Sequence, residues 1–290
     1  MTTLPTFPWP LPVDARPRPQ AHPETPRRKL RALFISDLHL GSRGCQVDRI
    51  LDFLARHEAQ TIYLVGDIFD NWHPIFHHWS DEHDRVVQEI LGRAREGVRL
   101  VYLPGNHDEV FRRHFGTYFG CLEVVDRVVH EAADGHRYLV LHGDQYDASY
   151  LRARWLNRLG TRVDTALRAM DAGLNALRRT LGLSEGRVIE ALIDWGNSAM
   201  HFGNDFERRL TAAARDAGLD GVICGHFHKA ALHERDGLTY GNCGDWMDSF
   251  TALGEDFSGT LRLIEAPAPL PARRPDLGGT MPGAEAPAMG

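Results

Sequence analysis

Cysteine is scarce in this chain of 290 residues, and its spacing excludes more than its number does. Cys45, Cys121, Cys224 and Cys243 stand far apart and form no C-x-x-C pair. That rules out a disulfide framework and a thiolate zinc module. Unpaired, mostly buried thiols in a cytoplasmic protein are expected instead. Long apolar runs are missing too: none approaches the roughly 18 residues that a membrane helix needs. The first residues, Met1-Thr2-Thr3-Leu4-Pro5, show no charged start leading into an apolar stretch, so no secretory signal is read there. Positive charge is in deficit, 33 Lys+Arg against 39 Asp+Glu, for a net charge of −6. A chain so balanced is not built to neutralise phosphates along a nucleic acid, and no nucleic-acid partner is expected. The expectation is a soluble protein, at most peripheral to a membrane.

Proline is nearly absent from the middle. Of 16 prolines, eight precede Lys29 and six follow Glu265, leaving only Pro74 and Pro104 between. Segments so rich in proline lack backbone donors and apolar periodicity. Residues 1–28 therefore read as a disordered or docked arm, 29–265 as the folded domain and 266–290 as a disordered tail. Inside the domain, short apolar runs alternate with helix-like segments. Leu30–Ser36, Thr61–Val65, Arg99–Leu103, Arg137–Leu141 and Gly221–Cys224 read as buried strands. Val47–His57 and Asp81–Glu96 read as helices between the first three. From Leu238 onward strands dominate, at Leu238–Tyr240, Phe250–Leu253 and Thr260–Ile264. A stretch of about 147–214 reads as almost wholly helical. The result is a layered α/β domain with a helical insertion.

Histidine is what the sequence has in plenty, with 16 residues. They collect, with aspartates, behind the strands. The first strand runs into Asp37-Leu38-His39, the second into Gly66-Asp67-Ile68-Phe69-Asp70, and the third into Gly105-Asn106-His107-Asp108. The fourth meets His142-Gly143-Asp144 and the fifth Gly225-His226-Phe227-His228. Ligand sites of α/β sheets lie at the carboxyl ends of strands, so five such ends can converge. Alternation along an extended chain puts Asp37 and His39 on one side, and likewise His226 and His228. Carboxylate, imidazole and amide donors without thiolate suit Mn²⁺, Fe²⁺ or Zn²⁺. Two such ions, about 3.5–4 Å apart, can clamp a phosphoryl group for in-line attack. Neighbouring glycines let the backbone come close.

The ordered set D-x-H, G-D-x-x-D, G-N-H-D, H and G-H-x-H resembles the calcineurin-like metallophosphoesterase superfamily. The resemblance spans Asp37 to His228. It implies a four-layer sandwich of two mixed β-sheets flanked by helices, with a dinuclear centre at the strand ends. It implies one metal on Asp37, His39, Asp67 and His228, and a second on Asp67, Asn106, His142 and His226, with Asp67 bridging. His107 matches the histidine that contacts phosphate and protonates the leaving group, and Asp70 the carboxylate that orients it. Asn106, His107 and His226 are the substrate contacts so implied.

Within the superfamily, four stretches resemble the UDP-2,3-diacylglucosamine hydrolase group: Ile35–Gly41, Leu64–Trp72, Gly225–His228 and Asn242-Cys243-Gly244-Asp245-Trp246. That group cleaves the pyrophosphate of a UDP-linked diacyl sugar in lipid A synthesis and uses manganese as its usual metal. It tends to carry arginine where this chain has His107, which leaves a phosphomonoesterase or phosphodiesterase acting on another lipid phosphate or nucleotide as the alternative. In the insertion, Leu151, Trp155, Leu159 and Val163 begin an apolar stripe flanked by arginines such as Arg152, Arg154 and Arg158. A stripe of this kind reads first as core; flanked by arginines beside the site, it also suits an anionic amphiphilic phosphoester substrate or the surface of the inner membrane leaflet. Asp147 reads as a helix cap, with a substrate contact as the alternative, and Cys224 reads as a buried strand residue.

Overall fold

The computed structural model describes residues 27–42, 44–71, 79–147 and 202–267. The expected N-terminal arm, the C-terminal tail and most of the insertion with its apolar stripe lie outside those residues.

Twelve strands among the described residues form two mixed sheets. The first sheet contains β1 (Arg28–Ile35), β2 (His57–Leu64), β3 (Arg99–Tyr102), β4 (Thr117–Phe119), β5 (Leu122–Val124), β11 (Thr251–Glu255) and β12 (Leu261–Glu265), in the order β12-β11-β1-β2-β3-β5-β4. Strands β1, β2, β3 and β5 run parallel. The second contains β6 (Arg127–Glu131), β7 (Arg137–Leu141), β8 (Gly221–Cys224), β9 (Ala231–Arg235) and β10 (Leu238–Asn242), in the order β6-β7-β8-β10-β9. Its central β7, β8 and β10 are parallel.

Side-chain alternation shows how the layers stack. Along β1, Leu33 and Ile35 pack towards helices α1 (Val47–Arg56) and α2 (Asp81–Arg95), while Ala32 and Phe34 pack against Tyr138, Val140 and Ile223 of the second sheet. The far face of the second sheet buries Leu141 and Val222 under helix α3 (Phe202–Asp216). Helices, sheet, sheet and helix thus form the four layers expected. Each helix presents one stripe: Val47, Ile50, Leu51 and Leu54 on α1, and Phe206, Leu210 and Ala214 on α3. Central strands are buried on both faces, which is why they read as continuous apolar runs. Among the described residues, no helix is long and apolar enough to cross a membrane.

Some boundaries differ from the sequence reading. His57 opens β2 rather than closing α1, and its Nδ1 lies 2.8 Å from the Phe53 carbonyl oxygen. Four strands, β4, β5, β6 and β9, were not anticipated; they are short, and β4, β6 and β9 lie at sheet edges.

Candidate metal centre

All nine residues singled out for chemistry lie in loops at the strand ends, and the backbone fastens those loops together. The loops after β1 and β2 are zipped: the N–H groups of Asp37, His39 and Leu40 donate to the carbonyls of Gly66, Asp67 and Ile68 at 2.9–3.0 Å, and Asp70 N–H returns to Leu40. Asp67 Oδ1 accepts the His107 N–H at 2.8 Å, which draws in the loop after β3. Asp37 Oδ2 accepts the His226 N–H at 3.0 Å, which draws in the loop after β8. Trp246 N–H donates to the Asp37 carbonyl, so the Asn242–Trp246 block backs the first ligand loop.

The local conformation is not the extended one that alternation assumed. Asp37, His39, Asp67, His226 and His228 all take positive φ, between 47° and 68°. The strands end before these residues, at Ile35, Leu64 and Cys224, so the pairs converge through left-handed bends. Each such residue costs about 1–3 kcal/mol and persists only where its surroundings hold it.

The side chains form three groups of ligand type. Asp37, His39 and His228 bring ligand atoms within 4.8 Å of one another, as do Asp67, His142 and His226, and His39, Asp70 and His107. In the first group, His228 Nε2 is 3.1 Å from Asp37 Oδ1 and 3.2 Å from His39 Nε2. In the second, His142 Nε2 is 3.4 Å from Asp67 Oδ2 and 3.3 Å from Asn106 Oδ1. His142 Nδ1 lies 2.9 Å from the Val65 carbonyl oxygen and donates its proton there, leaving Nε2 to face the centre. In the third, His107 Nδ1 is 3.2 Å from Asp70 Oδ1.

These residues fit divalent cations. Asp37 Oδ1 is buried among imidazole nitrogens, 3.1 Å from His228 Nε2 and 3.9 Å from His39 Nε2. Burial pushes His39 below its ordinary range, which leaves the neutral imidazole that a metal takes. Burial works against a charged His142 as well, but Asp67, Asp37 and Asp144 outweigh it and lift the ring to about 10. So much buried acidic charge calls for positive charge at this point. Space is kept for close approach: a Cβ on Gly66 would lie 2.1 Å from His142 Nδ1, one on Gly105 2.2 Å from Asp67 Oδ1, and one on Gly225 2.5 Å from Asp37 Oδ2.

Two further aspartates belong to the site. Asp147 Oδ2 lies 3.0 Å from His226 Nε2, and the helix it is expected to cap lies outside the described residues. Asp108 is fully buried; it accepts from Ile68 N–H at 2.8 Å, Gly105 N–H at 2.5 Å and the Tyr102 hydroxyl at 2.5 Å, and so ties two ligand loops together. Burial, with the charge of Asp67, raises its carboxyl to about 6. Its place in G-N-H-D was the available signal.

A model of the calcineurin-like phosphoesterase family matches residues 30–230. The chain belongs to this family. Among curated relatives it is 26% identical over 249 residues to a protein of Haemophilus influenzae, covering 80% of this chain and 98% of that one. It is 28% identical to a protein of Ralstonia nicotianae, with 73% and 82% covered, and 29% identical to one of Neisseria gonorrhoeae, with 76% and 91% covered. Each of the three is named UDP-2,3-diacylglucosamine hydrolase. Similar solved structures include vacuolar protein sorting 29 of Cryptosporidium parvum, with TM-score 0.38, 13% identity, and coverage of 80% of this chain and 94% of that one. An archaeal phosphodiesterase gives TM-score 0.39, 14% identity, and coverage of 80% and 98%. As a member of the family, the chain is a metal-dependent hydrolase of phosphoric esters or anhydrides.

Proposed function

We propose that this enzyme hydrolyses the pyrophosphate of a UDP-linked diacyl sugar, UDP-2,3-diacylglucosamine, to UMP and a lipid phosphosugar, as a step of lipid A synthesis. What supports the reading is the shared name of relatives matched over 73–80% of this chain, on a fold whose strand-end loops gather groups of metal-ligand type. Asp37, His39, Asp67 and His228 would hold one metal, and Asp67, Asn106, His142 and His226 a second. Manganese is the expected ion, with Fe²⁺ or Zn²⁺ compatible with the same donors. When bound, a pair of divalent ions polarises the phosphoryl oxygens and activates water for in-line displacement.

The chain's own residues supply the rest. Asp67 is held at Oδ1 by the His107 N–H, so its carboxylate cannot swing away from the centre. Asp70 takes the Nδ1 side of His107 and turns the other ring nitrogen towards the substrate. His107 can then donate a proton to the oxygen that leaves as one P–O bond breaks and another forms. Asn106 and His226 flank the same phosphates. Asp147 steadies His226 from behind.

A second reading, cleavage of a phosphomonoester or phosphodiester of a different lipid or nucleotide, draws on the His107–Asp70 pair. An alkoxide leaving group needs a proton more than a phosphate does, and this pair is built to give one. The two readings part in a substrate panel with Mn²⁺: UDP-2,3-diacylglucosamine, a deacylated UDP-sugar, a cyclic nucleotide and an aryl phosphate. UMP release confined to the acylated sugar is the expected result. In Asp67→Ala, loss of the bridging ligand removes several kcal/mol of transition-state stabilisation, so turnover falls by about three orders of magnitude or more. Faster turnover of the other substrates, equally dependent on Asp67, replaces the first reading with the second.

A further inference from the structure

Arg112 ties together two loops on which the second metal would depend. It belongs to the short 3-10 helix Glu109–His114, which directly follows Asp108. One of its nitrogens, Nη2, donates to Asp144 Oδ1 at 2.7 Å and to the Pro104 carbonyl at 3.2 Å. Pro104 leads into Gly105-Asn106-His107, and Asp144 stands two residues past His142. The ion pair is sheltered from water: the Asp144 side chain is 1% exposed and that of Arg112 18%. Removing one partner of such a pair leaves the other charge buried and uncompensated, so the loop that carries it has to move.

The bridge reaches beyond His142. Asp144 begins the turn Asp144–Tyr146, and the Asp147 N–H closes that turn on the Asp144 carbonyl at 3.2 Å. Asp147 in turn meets His226 Nε2 through Oδ2 at 3.0 Å. One guanidinium therefore stands behind Asn106, His142 and His226, three of the four residues assigned to the second metal. Asp37 and His39, of the first metal's set, are held by other means: their N–H groups donate to the carbonyls of Gly66 and Asp67. Resting on the two-metal reading above, we propose that Arg112 is a positioning residue. Through Pro104 and Asp144 it sets the spacing of Asn106 and His142, and so the affinity of the second metal site alone. His142 Nε2 and Asn106 Oδ1 lie 3.3 Å apart, a gap that a shift of either loop changes directly. Arg112 acts from behind the loops and needs no contact with substrate.

The test challenges the Mn²⁺-loaded full-length enzyme with rising chelator, counts the manganese retained and follows the paired ions by electron paramagnetic resonance. In Arg112→Gln one ion should be held about 10–100-fold more weakly and the other as in wild type, so the spectrum passes from a coupled pair to a single ion. Arg112→Lys should recover most of the loss, because both bonds leave from one nitrogen and an ammonium has donors for both. Arg99→Gln is the control. Its ion pair with Glu123 is also 2.7 Å long but stands at the start of β3, at the far end from the ligand loop, and its loss should leave manganese retention unchanged. If Arg112→Gln fails to fold, Asp144→Asn breaks the pair from the other side and is judged by the same criterion. Loss of both ions together, retention of both as in wild type, or no recovery with lysine overturns the clamp. A wild type that holds a single ion overturns the two-metal reading itself, and the clamp with it.

Discussion

Replacing Gly105 by alanine tests whether the metal centre is a packed solid or an adaptable pocket. A Cβ at this position lies 2.2 Å from Asp67 Oδ1, 2.7 Å from Asp67 N and 2.7 Å from His142 Nε2. Non-bonded carbon contacts settle at about 3.5–4 Å, so these atoms or the Gly105 loop must shift by roughly 1 Å. Neither side chain has slack. Asp67 Oδ1 is already fixed by the His107 N–H at 2.8 Å, and His142 Nδ1 by the Val65 carbonyl at 2.9 Å. Both residues are buried. Gly105 does not sit in the left-handed region, so alanine's own backbone is unstrained and the whole effect is crowding.

Overpacking of this kind costs about 1–3 kcal/mol of stability. Misplacing a reacting group by about 1 Å costs about a hundredfold in rate. The assay combines kcat/KM on an aryl phosphodiester, metal content by atomic emission and the urea unfolding midpoint. Gly218→Ala is the control: φ there is +65°, nothing lies within 4 Å of the new Cβ, and it precedes β8, the strand whose other end leads into His226. It should lose about 1–2 kcal/mol of stability to backbone strain alone, with turnover unchanged. Wild-type turnover and full metal content in Gly105→Ala would refute the packed-centre argument.

Three further outcomes are expected. Burial pushes the Glu255 carboxyl up, but the His130 ring at 2.7 Å, the Ala133 N–H at 2.8 Å and Arg31 at 2.8 Å outweigh it and hold it below its ordinary value. Its contribution is thus fully present above the unfolded-state value near 4.3 and is lost as pH falls through the lower folded value; Glu255→Gln should cost about 2–3 kcal/mol in urea unfolding at pH 7, and the gap should close in acid. Burial raises the thiols of Cys45 and Cys224 to about 12 and that of Cys243 well above its ordinary value, while Cys121 is exposed, so a chromogenic disulfide reagent should titrate one fast thiol in the native protein and four after denaturation. Asp147→Asn should weaken metal binding about 10–100-fold, read by chelator competition, because the His226 ring loses the carboxylate 3.0 Å from its Nε2.

The strands that carry the ligands were legible because both their faces are covered: β1 ends in Leu33-Phe34-Ile35 with Leu33 and Ile35 under helices and Phe34 between the sheets. Strands β6 and β9 were not, since an edge strand such as Ala231-Leu232-His233-Glu234-Arg235 buries too little to show any alternation. The ligand residues were legible from chemical type and order. Asp108 and Asp147 were not, because an aspartate beside a glycine-rich turn has the same local signature whether it caps a helix, clamps two loops or supports a histidine. The contact of Arg31, His130 and Glu255 between the sheets is invisible in sequence for another reason: its members are 99 to 224 residues apart, and only the two-sheet stacking brings them together.

The left-handed ligands explain the division of labour within the motifs. Aspartate and histidine occupy five positions of positive φ where glycine would be the easy choice. Glycine instead occupies Gly105 and Gly225, where the conformation is ordinary but a Cβ would strike a ligand. So the conformational cost falls on residues that cannot be exchanged for glycine without losing a donor atom, and the steric freedom of glycine is used for clearance. That cost has to be offset by the zipped loops, which is why Asp37, His39 and Asp70 are each fixed by backbone hydrogen bonds to the neighbouring loop. A chain that bent its ligands this way without the zipper would relax into extended loops, and the donor atoms would no longer meet at one point.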